Sequence, residues 1–311
     1  MTAITHSLRK RFNKDCKLPI SLFQDPYFDY FLNLYEEHFG SRTSYIQFCN
    51  LVEKLGGEES FFKESKRITD SIIEDISETS EYQEFNTRDL SEYDIKPEIR
   101  QYNVYHQQNV DHAYASFDLV KANYNALKFI DPAIVLNTKN YEELLGKYTD
   151  EEYFINSKHI RQVIFGHLNP RRQRKIEKFL IHNRVIPEIK KFMTDPSLYI
   201  SASDDEVVVR FYPLEFLTEE FKAGLNNFKA GIPVRYTSYV LRQLGNKPYF
   251  YKQFSMGNNP PVEFKAIPQQ YFAECYRVYR NETPTGYDFY TYQDGRVVKY
   301  MDPLFEISDP S

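Results

Sequence analysis

Three consecutive carboxylates, Asp204, Asp205 and Glu206, stand in one short stretch of this chain. The residues before and after them favour β-strands, and Ser and Asp favour tight turns, so residues 199–211 predict a β-hairpin with the carboxylates at its tip. Negative charge concentrated in a turn is costly unless a cation binds there, and carboxylate oxygens suit a divalent metal ion. The alternative is an ordinary acidic turn in solvent, because Asp is a favoured turn residue.

A further carboxylate, Asp118, ends a predicted strand. Residues 113–118 alternate as a half-buried strand does, and a helical pattern follows. Such an aspartate also commonly caps a helix, and this interpretation stays open. Carboxylates from two adjacent strands can hold two metal ions that activate a hydroxyl and stabilise a leaving pyrophosphate. The sequence therefore predicts Asp118, Asp205 and Asp204 as catalytic residues and metal ligands, with Glu206 as a further metal ligand.

The segment between these carboxylates is cationic. Ten lysines or arginines and two glutamates lie between residues 158 and 191, in a chain with a net charge of −5. Lys158 and Arg161 stand one turn apart on a predicted helix, where they could neutralise a triphosphate. Four basic residues farther on are candidates for contacts with a nucleic-acid backbone: Arg171, Arg172, Arg174 and Lys175. A solvated helix face is the other explanation of this basic run.

The order of these elements resembles motifs A, B and C of right-hand (palm-domain) nucleic-acid polymerases. Residues 117–124, Phe-Asp-Leu-Val-Lys-Ala-Asn-Tyr, resemble motif A. Residues 157–166 are similar to motif B of family A DNA polymerases, because they end in Phe-Gly and carry Arg161 four residues before that Phe. Residues 203–209 look like motif C, and their Asp-Asp tip is closer to that of reverse transcriptases.

The resemblance covers residues 113–211 and implies a palm-like core that adds nucleotides to a nucleic-acid or other hydroxyl acceptor. It implies two Mg²⁺ or Mn²⁺ ions, a nucleoside triphosphate substrate and a nucleic-acid partner. Asn123, which replaces the usual motif A glutamate, or Tyr124 would lie against the sugar. Asp204 replaces the usual motif C histidine of family A. Because the chain is short for separate fingers and thumb, a small polymerase or primase-like nucleotidyltransferase is expected.

Two other functions fit the same residues. A non-catalytic nucleic-acid-binding or assembly protein with a palm-like fold would bind nucleic acid through residues 171–178 and hold no metal at Asp205. A nucleotide cyclase or second-messenger synthase would apply the same two-metal chemistry to a cyclic product. Labelled nucleoside triphosphates distinguish these functions by their products.

The helices and strands predicted around these residues indicate an α+β protein. Residues 1–100 are expected to be mainly helical. Residues 101–311 are expected to form a palm-like antiparallel sheet with packed helices, fingers-like helices at about 157–192 and a β-hairpin-rich C-terminal part. Asp294-Gly295 is a strong two-residue hairpin signal. The acidic stretch 78–98 predicts a surface connection.

Composition places limits on the class of protein. The 311 residues have the apolar content of an ordinary folded protein, which argues against a disordered chain. No apolar run reaches membrane-spanning length. The basic start lacks the apolar segment of a signal peptide. Three scattered cysteines, Cys16, Cys49 and Cys275, indicate neither a disulfide framework nor a zinc site. We therefore expect no membrane partner and a cytoplasmic or other reducing location, with the oligomeric state left open.

Overall fold

The N-terminal helices form where apolar residues recur at helical spacing. The structure, a computed structural model, describes residues 4–211, 219–254, 262–300 and 304–305. The first helices are α1 (His6–Cys16), α2 (Tyr27–Leu34), α3 (Glu36–Phe39), α4 (Ser41–Lys54), α5 (Glu58–Glu78) and α6 (Ser80–Thr87). The prediction of a helical N-terminal region is therefore confirmed.

The prediction of a surface connection at residues 78–98 is wrong in its first half, because α6 lies there. Thr79 caps this helix by accepting a hydrogen bond from the Tyr82 backbone nitrogen at 3.2 Å. Tyr82 and Phe85 are both buried. Two aromatic side chains three residues apart share one face of a helix, and their burial holds α6 against the core despite its acidic sequence.

A second group of helices follows the first strand. They are α7 (Ala122–Ile130), α8 (Tyr141–Gly146), α9 (Glu152–Asn156), α10 (Lys158–His167), α11 (Pro170–Leu180) and α12 (Ile186–Lys190). Ser157 caps α10 and Asn140 caps α8. A π-helical turn, Ile181–Val185, joins α11 to α12. Pro187 lacks a backbone N–H and cannot continue the α-helical hydrogen bonds, which accounts for the wider turn.

Six antiparallel strands form the main sheet. They are β1 (Ala113–Leu119), β2 (Tyr199–Ala202), β3 (Glu206–Phe211), β4 (Val234–Gln243), β5 (Phe250–Phe254) and β6 (Val262–Lys265), in the spatial order β2-β3-β1-β4-β5-β6. Helices α7 to α12 connect β1 to β2, and α13 (Glu219–Asn226) lies between β3 and β4. The first four strands thus follow a β-α-β-β-α-β order, and the structure confirms an α+β fold with helices packed on an antiparallel sheet.

Alternate residues of β1 belong to two different cores. Ala115 and Phe117 belong to a large core that extends from α1 to α14 (Phe272–Tyr279). Tyr114 belongs to a smaller core on the other face, which we call the second face; it is the face of Tyr114, Ser116 and Asp118. Because the large core includes both the N-terminal helices and the sheet, the two parts of the chain are held together by shared apolar burial.

The C-terminal part returns to the N-terminal helices. A hairpin of β7 (Tyr290–Gln293) and β8 (Arg296–Lys299) turns at Asp294-Gly295, where both residues have positive φ, 49° and 81°. This agrees with the Asp-Gly signal, since such turns need positive φ at both central residues. The fully buried Asp288 accepts a hydrogen bond of 2.6 Å from the hydroxyl of Tyr30 on α2.

The cysteines are free thiols. Burial raises the pKa of Cys16 and of Cys275 to about 12, so both stay protonated at neutral pH. Over the ranges that the structure describes, no helix is both long and apolar enough to cross a lipid bilayer.

Asp288→Asn should destabilise the fold. The carboxylate accepts hydrogen bonds from Tyr30 and from the Thr285 backbone and lies 3.4 Å from Arg277, at a fully buried position. We expect the free energy of unfolding, measured by urea denaturation, to fall by about 1.5–3 kcal/mol. Asp294→Asn, at an exposed turn position that Asn also adopts readily, is the control and should leave the stability nearly unchanged. Equal stability of the two variants would contradict the role of Asp288.

Candidate active site

The predicted acidic hairpin is present, with its carboxylates in the turn. The Ser203 backbone nitrogen donates to the Glu206 carbonyl at 2.8 Å, which makes Asp204 and Asp205 the two central residues. The Ser203 hydroxyl donates to the Asp205 carboxylate at 3.1 Å and accepts from the Glu206 nitrogen at 3.0 Å. The turn is thus stabilised by a serine side chain, and Asp205 is left exposed at the tip.

Pairing of β1 with β3 brings Asp118 to this hairpin. Asp118 lies directly opposite Glu206 on β3 and opposite Arg235 on β4. The Leu119 nitrogen donates to the Asp205 carbonyl at 2.8 Å, so the last residues of β1 lie beside the turn. The structure therefore brings Asp118, Asp205 and Glu206 together, as the hypothesis of a joint site requires.

The charges around Asp118 oppose one another. Burial, and the neighbouring Asp205 and Glu206, raise the pKa of the Asp118 carboxyl, while Arg235 lowers it. Arg235 forms an ion pair with Asp118 at 2.5 Å, and 67% of the arginine side chain is exposed. Because the net pKa shift of Asp118 is upward, the single arginine does not fully offset burial and the surrounding negative charge.

Glu177, on α11, is a carboxylate that the sequence interpretation did not assign to the site. It is only 4% exposed and accepts a hydrogen bond from the Asn123 side-chain amide at 3.1 Å. Burial, then Asp205 and Asp204, raise its pKa to about 7. The sequence indicated that Glu177 could be buried, because helical spacing places it next to Ile176 and one turn after Gln173. All three residues are buried on the same side of α11.

The carboxylates do not form a compact metal cage. Within the described part of the chain, no three or more His, Cys, Asp or Glu side chains are grouped so as to hold a metal ion. Mg²⁺ is commonly bound through one or two carboxylates, with water and substrate phosphates completing its shell. Asp118 and Asp205, with Asp204 beside them, are carboxylates of the kind that this mode requires.

A group of cations lies beyond β1, and we call it the cationic cluster: Lys17, Lys121, Lys158 and Arg161. Lys121 lies 4.7 Å and Arg161 5.9 Å from the ring centroid of Tyr141. Although Lys17 is largely accessible to solvent, partial burial of its ammonium and the proximity of Lys158 and Arg161 lower its pKa to about 8. Lys121 follows Asp118 by three residues in the sequence, and its ammonium forms an ion pair with Glu142. No local pattern marked Lys17 or Lys121.

Tyr124 does not reach the site. Its side chain is buried, and its hydroxyl donates to the Thr138 carbonyl at 2.8 Å. Asn123, its neighbour, faces Glu177 instead. Of the two residues considered for sugar contact, Asn123 is the one placed beside the carboxylates.

The four basic residues at the start of α11 fall into two groups, of which one contacts a neighbouring segment and the other faces solvent. Arg172 donates to the Arg88 carbonyl, and Lys175 pairs with Asp94 at 2.7 Å. These two side chains therefore attach the segment after α6 to α11. Arg171 and Arg174 are solvent-exposed, so they remain accessible to a nucleic-acid backbone.

A cavity of about 470 Å³ opens beside the hairpin on the second face. Ser203 and Glu206 line one side, and Tyr102, Asn103 and Tyr105 line another. Tyr102 is among the most exposed aromatic residues in the described part of the chain. The volume is within the range of small-molecule sites, and the lining combines aromatic rings with amide and hydroxyl groups.

Comparisons with known proteins leave this site unassigned. The chain matches no protein-family model, no curated protein and no solved structure.

The buried Glu177 should make stability depend on pH. A carboxyl whose pKa is raised to about 7 in the folded state, from 4.5, favours folding while protonated, and this contribution is lost as pH rises from about 4.5 through 7. Glu177→Gln removes the charge and keeps a hydrogen-bond acceptor for Asn123. We expect the variant to exceed the native protein in stability by about 1–3 kcal/mol at pH 8 and not at pH 4.5, measured by urea denaturation.

Glu188→Gln is the matched control for Glu177→Gln. A hydrogen bond from Lys191 lowers the pKa of Glu188, so its ionised form favours folding. Removing that charge should therefore produce no gain in stability at pH 8. A stability profile of Glu177→Gln that parallels the native profile would contradict the burial of a titrating carboxyl at this position.

Proposed function

We propose that this protein is a metal-dependent nucleotidyltransferase, a small polymerase-like or primase-like enzyme. It adds nucleotides from a nucleoside triphosphate to a nucleic-acid or other hydroxyl acceptor. The observation that carries the proposal is the meeting of Asp118 with the Asp205 turn on adjacent antiparallel strands, beside the cationic cluster. This reaction requires carboxylate ligands for divalent metal ions and a surface that binds the triphosphate.

Asp118 and Asp205 are the proposed ligands for Mg²⁺ or Mn²⁺, with Asp204 as the supporting carboxylate. Two such ions, when bound, supply activation of the acceptor hydroxyl and neutralise charge on the leaving pyrophosphate. Asp118 must first release Arg235, whose side chain is 67% exposed and so can move into solvent. Arg235 would then be free to contact a phosphate.

The cationic cluster is the proposed triphosphate site. Close packing of Lys17, Lys158 and Arg161 is unfavourable without an anion, and it contributes to the lowered pKa of Lys17. Arg161 presents a planar fork suited to two phosphate oxygens, whereas the lysines act as point charges. A polyphosphate bound there would relieve the repulsion, and Lys121, three residues after Asp118 in the sequence, would connect this site to the metal site.

The cavity on the second face is the proposed place of the acceptor nucleoside. It adjoins the hairpin, and Tyr102 and Tyr105 offer rings on which a base can stack. On the other side of the turn, Asn123 is positioned for the sugar of the incoming nucleotide. A palm-like core is consistent with carboxylates at the ends of β1 and the β2–β3 hairpin.

A second candidate is a non-catalytic nucleic-acid-binding protein. Asp118 is already paired with Arg235, and over the described residues no group of three metal-binding side chains exists. Arg171 and Arg174 would contact the phosphate backbone. This candidate requires salt-sensitive nucleic-acid binding and no nucleotide incorporation.

Asp118→Asn and Asp205→Asn should each abolish metal-dependent incorporation. Loss of one carboxylate ligand should lower the rate by about a thousandfold or more, because the reaction depends on ions held jointly by both strands. The measurement is incorporation of labelled nucleoside triphosphates with Mg²⁺ or Mn²⁺, with products separated by size. An extended chain supports the proposal, and a cyclic product would identify a cyclase.

Asp111→Asn is the control for these substitutions. Asp111 is an exposed aspartate paired with an arginine, Arg242, as Asp118 is paired with Arg235, but it lies at the opposite end of the sheet. It should retain full activity. Salt-sensitive nucleic-acid binding without any product from the native protein would support the second candidate instead.

Arg161→Met should weaken nucleotide binding. Removing a bidentate phosphate contact should raise the KM for the nucleoside triphosphate by about tenfold or more, with a smaller fall in kcat if the contact is made in the ground state. Lys66→Met, which removes an exposed cation on α5 that pairs with Asp70, is the control and should leave the KM unchanged. An unchanged KM in Arg161→Met would exclude the cationic cluster as the triphosphate site.

A further inference from the structure

Lys252 is a buried lysine on the second face of the sheet. Its side chain is 6% exposed, and its ammonium lies 3.7 Å from the Glu206 carboxylate and 3.6 Å from that of Glu263. The ring centroid of Tyr239 lies 4.6 Å from the same ammonium. A buried ammonium is costly unless it is paired, and Lys252 has two carboxylates and an aromatic ring as partners.

The Glu206 carboxylate interacts with Ser116 and Lys252 on the second face. The backbone of Glu206 is directly opposite Asp118, yet its side chain accepts a hydrogen bond from the hydroxyl of Ser116. Ser116 lies two residues before Asp118 on β1, closer to the middle of the sheet. The carboxylate thus points along the second face toward Lys252, whereas Asp205 remains exposed at the tip.

The charges on this face balance among themselves. Glu263 pairs with Lys252 and also with Lys265 at 2.5 Å. Although burial acts in the opposite direction, these two lysines lower the pKa of Glu263. Two carboxylates and two ammonium groups therefore form a neutral network across β3, β5 and β6, and Glu206 needs no further cation.

We propose that Lys252, and not a metal ion, is the counter-charge of Glu206. Lys252 and Glu206 are then positioning residues, which anchor the start of β3 and leave Asp118 and Asp205 to bind the metal. The statement about the metal rests on the proposed function, whereas the pairing of Lys252 with Glu206 does not. If Lys252 is the counter-charge, Glu206 is not one of the metal ligands, contrary to the prediction from the sequence.

Metal binding without nucleotide tests which carboxylates are ligands. We would titrate the full chain with Mn²⁺ and follow free Mn²⁺ by electron paramagnetic resonance. Glu206→Gln should keep the native affinity within about twofold, whereas Asp205→Asn should lose about tenfold or more, the scale seen when metal ligation is disturbed. A tenfold loss in Glu206→Gln would overturn the inference and leave the proposed function standing.

A double-mutant cycle tests the pair itself, independently of metal. Glu206→Gln and Lys252→Met should each lower the thermal unfolding midpoint by on the order of 5 °C, because each removes one ion-pair partner from a partly or fully buried charge. The double variant should lose clearly less than the sum of the two. Lys265→Met, which removes a more exposed partner of Glu263, is the control and should not couple to Glu206→Gln.

The outcomes separate the two proposals. If the native protein binds no Mn²⁺, the metal site of the proposed function fails, and the cycle still decides the pairing of Lys252 with Glu206. Additive losses in the double variant would overturn that pairing. If Lys252→Met does not fold, Lys252→Arg, which preserves the charge, should restore the native midpoint within a few degrees while Glu206→Gln alone remains destabilised.

Discussion

The in-register pairing of β1 with β3 is the interaction on which the candidate site depends. It runs from Ala113 opposite Phe211 to Asp118 opposite Glu206. Because side chains alternate along a strand, a shift of one residue would move Asp118 to the helix-covered face and Phe117 into its place. The burial of Phe117 and Leu119 in the large core prevents that shift. The position of the Asp118 carboxylate is therefore fixed by the apolar packing of its sequence neighbours.

Electrostatic asymmetry follows from this arrangement. Burial first, and then repulsion from neighbouring carboxylates, raise the pKa of Asp118 and of Glu177 at the hairpin, where negative charge is concentrated. Positive charge is concentrated in the cationic cluster, where partial burial and the nearby Lys158 and Arg161 lower the pKa of Lys17 and Lys121 is paired with Glu142. A metal ion on one side and a polyphosphate on the other would relieve both imbalances together. The neutral network around Lys252 limits the negative region to the hairpin tip.

Features set by short-range sequence were predictable. The strand at 113–118, the acidic turn and the Asp-Gly hairpin each depend on a few adjacent residues with strong conformational preferences. Helix α6 was missed because its acidic composition outweighed the spacing of Tyr82 and Phe85. The π-helical turn before Pro187 was missed because helical periodicity indicates a continuous helix, whereas hydrogen bonding around a proline is decided in the folded chain.

The sequence by itself determined the α+β class, the acidic tip of the hairpin and the position of Asp118 at a strand end, since these follow from local propensity and side-chain alternation. Only the tertiary structure decided which charges meet. Periodicity indicates which face of an element a residue occupies, but it does not identify the element packed against that face. Lys17 approaches Lys158, and Lys252 approaches Glu206, because distant segments pack together. For the same reason, the adjacent residues Asn123 and Tyr124 have different surroundings. Asn123 contacts Glu177 near the site, whereas Tyr124 is buried in the core.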